Sequence, residues 1–196
     1  MNVQIHEEPA TDLTEYATIP TAFEVREVLS IVMPERGLHG VQLVVRQVDV
    51  PYVKDYDAEP AHHPSRWRSR FDVTHWGVLG AWVGGARVGG AVIAWRSSEV
   101  EVLDGRQDLA VLWDLRVAPA ARGQGVGAAL FREAEQWAIG RGASWLRAET
   151  QNVNVPACRF YASQGCTLGA LHRFAYASLP DEVQLLWYKQ LVPSAG

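Results

Sequence analysis

The chain is poor in cysteine, in excess positive charge and in long apolar runs, and each shortage removes a class of protein. Two cysteines, Cys158 and Cys166, in 196 residues are too few for a disulfide scaffold. No CxxC or HExxH pattern occurs, so no zinc site is expected and no metal is assigned. No stretch reaches the roughly 18–20 uninterrupted apolar residues of a membrane span. Met1–Ala10, with His6, Glu7 and Glu8, lacks the basic start and apolar core of a secretory signal. A cytoplasmic protein with no membrane partner is therefore expected. Lys and Arg number 18 against 22 acids, a net charge of −4, which speaks against a nucleic-acid partner.

What is present fits a folded enzyme-sized domain. Hydrophobic residues make up 48% of the chain, enough for a core and too many for wholesale disorder. The length suits a single domain over 1–196. The charge is uneven: residues 1–60 carry 11 acids and 4 bases, whereas 61–196 carry 11 acids and 14 bases. A net −7 portion and a net +3 portion read first as two solvated faces.

Phe23–Met33 and Val41–Val48 are rich in β-branched residues and read as early strands or part of a helix. Residues 50–72 hold Pro51, Pro60 and Pro64 and read as a long loop, with His62 and His63 on its surface. Gly77–Val83 and Ala86–Arg96, joined by Gly84-Gly85, predict a hairpin. Ala110–Val117 is a further strand, ended by Pro119. Gly125–Arg141 is the clearest helix: Val126, Leu130, Ala134, Trp137 and Ala138 recur on one face, with Arg132, Glu133, Glu135 and Gln136 on the other. Ser144–Thr150 predicts a strand. Pro156–Gln164 predicts a short helix capped by Asn154. Cys166–Tyr176 and Val183–Gln190 predict a final antiparallel pair. The order is strands and then β-α-β-α-β-β, an α/β or α+β layered domain.

The richest local signal is Leu115-Arg-Val-Ala-Pro-Ala-Ala-Arg-Gly-Gln-Gly-Val-Gly127, which leads from a strand through a glycine turn into a helix. Gly123, Gly125 and Gly127 let backbone N–H groups approach a ligand. The helix start adds unpaired donors and partial positive charge, an arrangement suited to a pyrophosphate. Arg122 adds a full charge and a planar donor fork. The spacing is not that of a P-loop, since no GK[ST] follows, nor the GxGxxG of a dinucleotide fold. The segment Arg122-Gly123-Gln124-Gly125-Val126-Gly127 resembles the coenzyme A signature of the GNAT superfamily of N-acetyltransferases. A second pattern of that superfamily, Asn-x-x-Ala-x-x-x-Tyr-x-x-x-Gly, is matched by Asn154, Ala157, Tyr161 and Gly165.

The chemistry can be argued from the residues. An amine attacking an acyl thioester must first lose a proton, directly or through water, to a nearby carboxylate. Asp114 and Glu149, each near the end of a strand, are equal candidates beside a water chain. The alternatives are a solvated acid for Asp114 and, for Glu149, a salt bridge to Arg147 or Arg116. The oxyanion wants a fixed backbone N–H, which the strand Leu115–Val117 can supply where it parts from its neighbour. Tyr161, a phenol of pKa about 10, is a fair acid for a thiolate leaving group whose thiol has pKa about 8.5; otherwise it packs an apolar helix face. Asn154 can hydrogen-bond a pantetheine arm. Cys158 reads as core, because direct transfer needs no nucleophile.

Within the superfamily the chain is similar to streptothricin acetyltransferases over roughly residues 20–190. The shared pieces are Glu149-Thr150-Gln151 followed by Asn154 through Cys158 to Tyr161, with Phe23–Val28 and Pro51–Tyr56 nearer the start. The resemblance implies a mixed, mostly antiparallel twisted sheet with a splayed parallel strand pair gripping acetyl-CoA, most recognisable over 110–192. It implies transfer in a ternary complex to a small-molecule primary amine, with Tyr52, Asp55 and Tyr56 near the acceptor side. Dimers are common in the superfamily, and no feature of this sequence demands one. Two departures stand out. His172 replaces the family's aspartate, and the insert His62–Phe71 carries Arg66, Arg68 and Arg70 around Trp67, which is placed either in the core or at the acceptor mouth. A protein or peptide N-acetyltransferase and a non-catalytic acyl-CoA-binding module are the rival readings.

Overall fold

The computed structural model describes residues 2–10, 13–60 and 63–191. In chain order the elements are β1 (Gln4–Glu8), β2 (Phe23–Val32), β3 (Gln42–Lys54), α1 (Trp67–Arg70), β4 (Gly77–Val83), β5 (Ala86–Ala94), β6 (Leu109–Val117), α2 (Val126–Gly140), β7 (Trp145–Gln151), α3 (Val155–Ser163), β8 (Thr167–His172) and β9 (Gln184–Gln190). One sheet has the strand order β1-β4-β5-β6-β7-β9-β8, and β2 and β3 form a separate pair. Two compact units can be distinguished. The first comprises Met1–Thr21, Tyr56–Ala148 and Tyr188–Gly196, the second Ala22–Asp55 and Glu149–Trp187.

In the first unit, β1–β4, β4–β5 and β5–β6 pair antiparallel, and β6–β7 pairs parallel. This is the mostly antiparallel sheet with one parallel pair that the resemblance implied. Gly84 and Gly85, with φ of +58° and +81°, make the expected hairpin turn. α2 packs on β4, β5 and β6 through Val126, Leu130, Phe131, Ala134, Trp137 and Ala138. Burying Leu130 and Phe131 contributes about 1.5–3 kcal/mol each. Gly77 lets helix and sheet close up, since a Cβ there would lie 2.3 Å from Trp137 Cε2.

Several expectations need correction. Glu135 is not on a solvated helix face; it is buried and ion-paired with Lys189 of β9. Trp67 does not line an acceptor mouth. It is 3% exposed and packs among Tyr16, Trp76 and Trp113, with ring centroids 6.2–6.3 Å away. The insert is thus anchored by its aromatic residue while Arg66, Arg68 and Arg70 stay exposed. Residues 50–54 are no loop but the end of β3, and the shorter β8 stops at His172. His62 lies outside the described residues, and His63 is partly exposed.

β1 was not foreseen because Gln-Ile-His-Glu-Glu shows little apolar alternation. Its acids make the strand useful. Glu8 receives Trp82 Nε1–H at 3.1 Å and pairs with Arg87. Glu7 accepts from Trp137 Nε1 at 2.7 Å and Arg141 Nη2 at 2.8 Å.

The second unit is built on the antiparallel β2–β3 pair, so the early segments are strands rather than helix. The register jumps from Val25↔Tyr52 to Glu27↔Gln47. This irregularity includes Pro51, which has no N–H to give a ladder. Buried Asn152 ties the unit together: Leu29 N–H donates to its carbonyl at 2.9 Å, its Nδ2 donates to Leu29 O at 3.1 Å, and Val183 N–H donates to its Oδ1 at 2.8 Å.

Candidate active site

In the first unit, parallel pairing of β6 with β7 runs from Leu109↔Trp145 to Leu112↔Ala148. β6 continues to Val117, paired with β5 as far as Gly89↔Val117. A bulge marks the change: Val92 faces Asp114 and Ile93 faces Leu112, leaving Trp113 as an extra residue. Trp113 is held in the aromatic cluster by Phe71 at 5.1 Å and Trp76 at 5.5 Å. Leu115 and Val117 therefore lie on the part of β6 that has passed its last parallel pair.

Beyond β6 the chain turns through Pro119–Ala121 and the exposed segment Arg122–Gly125 into α2. Gly123 and Gly125 have φ of +72° and +86°, with open space around both. Their role is conformational, because L side chains avoid that region. The first bond of the helix is Ala129 N–H to Gly125 O at 3.0 Å. The N–H groups of Val126, Gly127 and Ala128 thus precede the ladder. No side chain caps this end, and no acid occupies the first turn.

The polar side chains of the loop are turned to backbone carbonyls. Arg122 Nε donates to Val117 O at 3.1 Å and Nη2 to Pro20 O at 3.4 Å. Gln124 Nε2 donates to Ala120 O at 2.7 Å. Val126 is 1% exposed and packs inward. The surface offered to an anion is backbone N–H in an electropositive setting, which suits a diphosphate.

Asp114 is not a solvated acid. Its carboxylate accepts from Arg116 Nε at 2.7 Å, and its side chain is 15% exposed. Burial pushes this carboxyl above the usual range against the pull of Arg116. Arg116 also reaches Asp57, with Nη1 to Oδ2 at 2.8 Å and Nη2 to Oδ1 at 2.9 Å. Tyr56, half-buried, precedes Asp57.

The second unit holds the remaining candidates. Glu149 makes neither of the salt bridges considered for it in this geometry: Arg147 pairs with Asp104, and Arg116 with Asp114 and Asp57. Instead Glu149 Oε1 accepts from Tyr176 OH at 2.8 Å, and that hydroxyl accepts from Gln151 Nε2 at 2.9 Å. Asn154 caps α3, its Oδ1 accepting Ala157 N–H at 3.1 Å. Tyr161 is 8% exposed and shares the inner face of α3 with Val155 and Cys158. Its ring meets Phe160 edge-to-face at 5.5 Å. Burial pushes the Cys158 thiol up to about 12, in keeping with a core role. Tyr52 and Asp55 are exposed. Burial, then the Glu182 carboxylate, raises the Tyr52 phenol. His172 is exposed at the end of β8.

Sequence reasoning missed Asp57, Tyr176 and Asn152, and saw Arg116 only as a partner for Glu149. Asp57 differs from Asp55 by nothing in its immediate sequence, and the Tyr176–Glu149 bond spans 27 residues with no motif to announce it.

Residues 43–166 match the model of the acetyltransferase (GNAT) family. The chain is 31% identical over 169 residues to streptothricin acetyltransferase of Escherichia coli, covering 85% of this chain and 84% of that one. It is 37% identical over 81 residues to streptothricin acetyltransferase A of Bacillus subtilis (strain 168), covering 40% and 47%. Among solved structures, a nourseothricin acetyltransferase shares the fold with TM-score 0.76 at 24% identity, covering 98% of this chain and all of that one. A Bacillus anthracis str. Ames protein in complex with acetyl coenzyme A aligns with TM-score 0.74 at 25% identity, covering 98% and 99%. With its parallel strand pair and its glycine loop ahead of an uncapped helix, the chain belongs to the GNAT family and is an acetyl-CoA-dependent N-acetyltransferase.

Proposed function

We propose that the protein transfers an acetyl group to a primary amine of a small cationic molecule of the streptothricin kind, by direct transfer in a ternary complex. The observation that carries the cofactor side is the uncapped start of α2 behind two left-handed glycines. The acceptor class rests on the likeness to streptothricin acetyltransferases. When bound, acetyl-CoA supplies an acyl thioester activated toward amines.

The roles then follow residue by residue. Backbone N–H groups from Gly123 to Gly127 hold the diphosphate, with Arg122 and Gln124 bracing the loop. Backbone groups of Leu115 and Val117 hold the arm and offer a donor to the oxyanion. Asn154 and Ala157 set the start of α3, which carries Tyr161. Glu149 accepts the proton of the incoming ammonium, directly or through water, and Tyr176 fixes the orientation of its carboxylate. Asp114, engaged by Arg116, serves as an electrostatic anchor rather than as the base. Tyr161 returns a proton to the departing sulfur. Tyr52, Asp55 and Tyr56 face the acceptor.

The test is release of coenzyme A thiol over a panel of streptothricin, lysine, polyamines and peptides. Streptothricin is expected to be acetylated. Glu149→Gln should lower kcat/KM by about 10²–10⁴-fold, and Tyr161→Phe should lower kcat more than acetyl-CoA affinity. Coenzyme A binding with no amine acetylated would overturn the enzyme reading. A peptide preferred over every small amine would overturn the acceptor class.

A further inference from the structure

Arg116 is engaged more fully than a structural ion pair requires. Its side chain is 2% exposed, and four of its five N–H bonds have acceptors. Nε donates to Asp114, Nη1 to Asp57 and to Ile19 O at 3.1 Å, and Nη2 to the second oxygen of Asp57. One guanidinium so joins β6, the turn Tyr56–Ala58 and the segment around Ile19. Two carboxylates face one cation, although a single carboxylate would neutralise it. The second comes from a turn bordered by exposed Asp55, Glu59 and Pro60. A planar fork on a carboxylate fixes orientation as well as distance.

The seat of the guanidinium is closely packed. The Tyr16 ring lies 5.3 Å from Arg116 Cζ. Tyr16 is 1% exposed, so its ring walls the guanidinium off from solvent. Gly90 leaves room for this ring, because a Cβ there would lie 2.7 Å from Tyr16 Cε2. Arg116 alternates along β6 with Leu115 and Val117, whose backbone is given to the cofactor above.

We infer that Arg116 is a positioning residue: its two-pronged grip on Asp57 fixes the Tyr56–Ala58 turn to β6 and thereby sets how tightly the acceptor amine is bound. The inference deepens the proposed function and rests on it, through the placing of Tyr56 on the acceptor side. Asp57 acts through the turn it anchors, and Arg116 acts through Asp57.

The experiment is steady-state kinetics on the full chain with streptothricin as acceptor, together with a direct acetyl-CoA binding measurement. Asp57→Asn keeps the size of the side chain and loses its charge and one of its two equivalent acceptors. Acceptor KM should rise about tenfold, the loss of one charge-assisted hydrogen bond. The fall in kcat should be smaller, and acetyl-CoA Kd should stay within twofold. Asp57→Glu, which can still take the fork, should recover part of the KM. Arg116→Lys keeps the cation beside Asp114 but cannot grip two oxygens, and should show the same rise in acceptor KM even where Asp57→Asn fails to fold. Unchanged acceptor KM in a folded variant, or an equal loss of acetyl-CoA affinity, would overturn the inference while leaving the acetyltransferase reading intact. A wild-type protein that acetylates no amine would bring down both.

Discussion

Placing alanine at Gly125 and at Gly140 should move stability in opposite directions, although the two glycines stand at the two ends of α2 and neither is crowded. A Cβ at either position meets nothing within 4 Å, so no clash contributes. The difference is backbone. Gly125, the residue before the helix, has φ +86° and ψ −2°. An L-residue held in that region costs about 1–2 kcal/mol, which exceeds the gain of about 0.4–1 kcal/mol from a stiffer unfolded chain. Gly140 is the last helical residue and has no positive φ. Alanine there gains about 0.5–1 kcal/mol. The expected outcome is a loss of about 1 kcal/mol for Gly125→Ala and a gain of about 0.5 kcal/mol or more for Gly140→Ala. In Tm that is roughly 2–4 °C down and 1–4 °C up for a chain of this size. Urea unfolding followed by tryptophan fluorescence reads both, with equal m-values required for the comparison. The eight tryptophans make the signal ample. A Gly125→Ala protein as stable as wild type would refute the left-handed turn, and with it the orientation given to the N–H groups of the phosphate loop.

One substitution and one labelling reaction test two further roles. Arg122→Ala should weaken acetyl-CoA affinity about tenfold, read by calorimetry, while leaving the urea midpoint within experimental error; its guanidinium braces Val117 O and Pro20 O, and unchanged affinity would remove it from the cofactor site. Cys158, 3% exposed with its thiol pushed up to about 12, should resist thiol reagents at pH 7–8 in the folded protein and react on unfolding. Rapid native labelling that abolished activity would overturn the core reading.

The glycine turn and the helix that the proposal gives to the cofactor were legible because their conformations are set locally. A left-handed turn needs glycine, and a helix needs a defined start, so Gly123, Gly125 and the α2 periodicity announce themselves within a few residues. Asn154 was legible as a cap for the same reason. The ion pairs that anchor Asp57 and Glu182 were not, because they join residues distant in sequence. Arg116 meets Asp57 across 59 residues, and Lys54 meets Glu182 across 128 at 2.5 Å. Binary patterning also failed at Glu135, where a charge on a buried helix position is tolerated only because Lys189 of β9 reaches it. Trp67 shows the converse: between arginines it could belong to the core or to the acceptor mouth, and its own indole decides the matter by entering the aromatic cluster.

The charge asymmetry of the sequence, −7 over the first 60 residues and +3 over the rest, changes meaning once the pairs are known. Glu7 pairs with Arg141, Glu8 with Arg87, Asp57 with Arg116 and Glu27 with Arg159. Each joins an acid of the early portion to an arginine of the later one. Lys54 and Glu182 join the portions in the opposite sense, and the five pairs together bring the early portion to −4 and the later portion from +3 to 0. The later portion, which carries the phosphate loop, therefore has no spare positive charge with which to attract a phosphorylated cofactor at long range. On the role proposed for the glycine loop, the diphosphate is then held by contacts at the loop itself, from oriented N–H groups at the α2 start with one arginine beside them. Such short-range binding resists screening better than a diffuse field does. Raising ionic strength from 0.05 to 0.5 M should accordingly change acetyl-CoA affinity by only a few-fold, and a loss of a hundredfold or more would return the burden to the wider charge distribution.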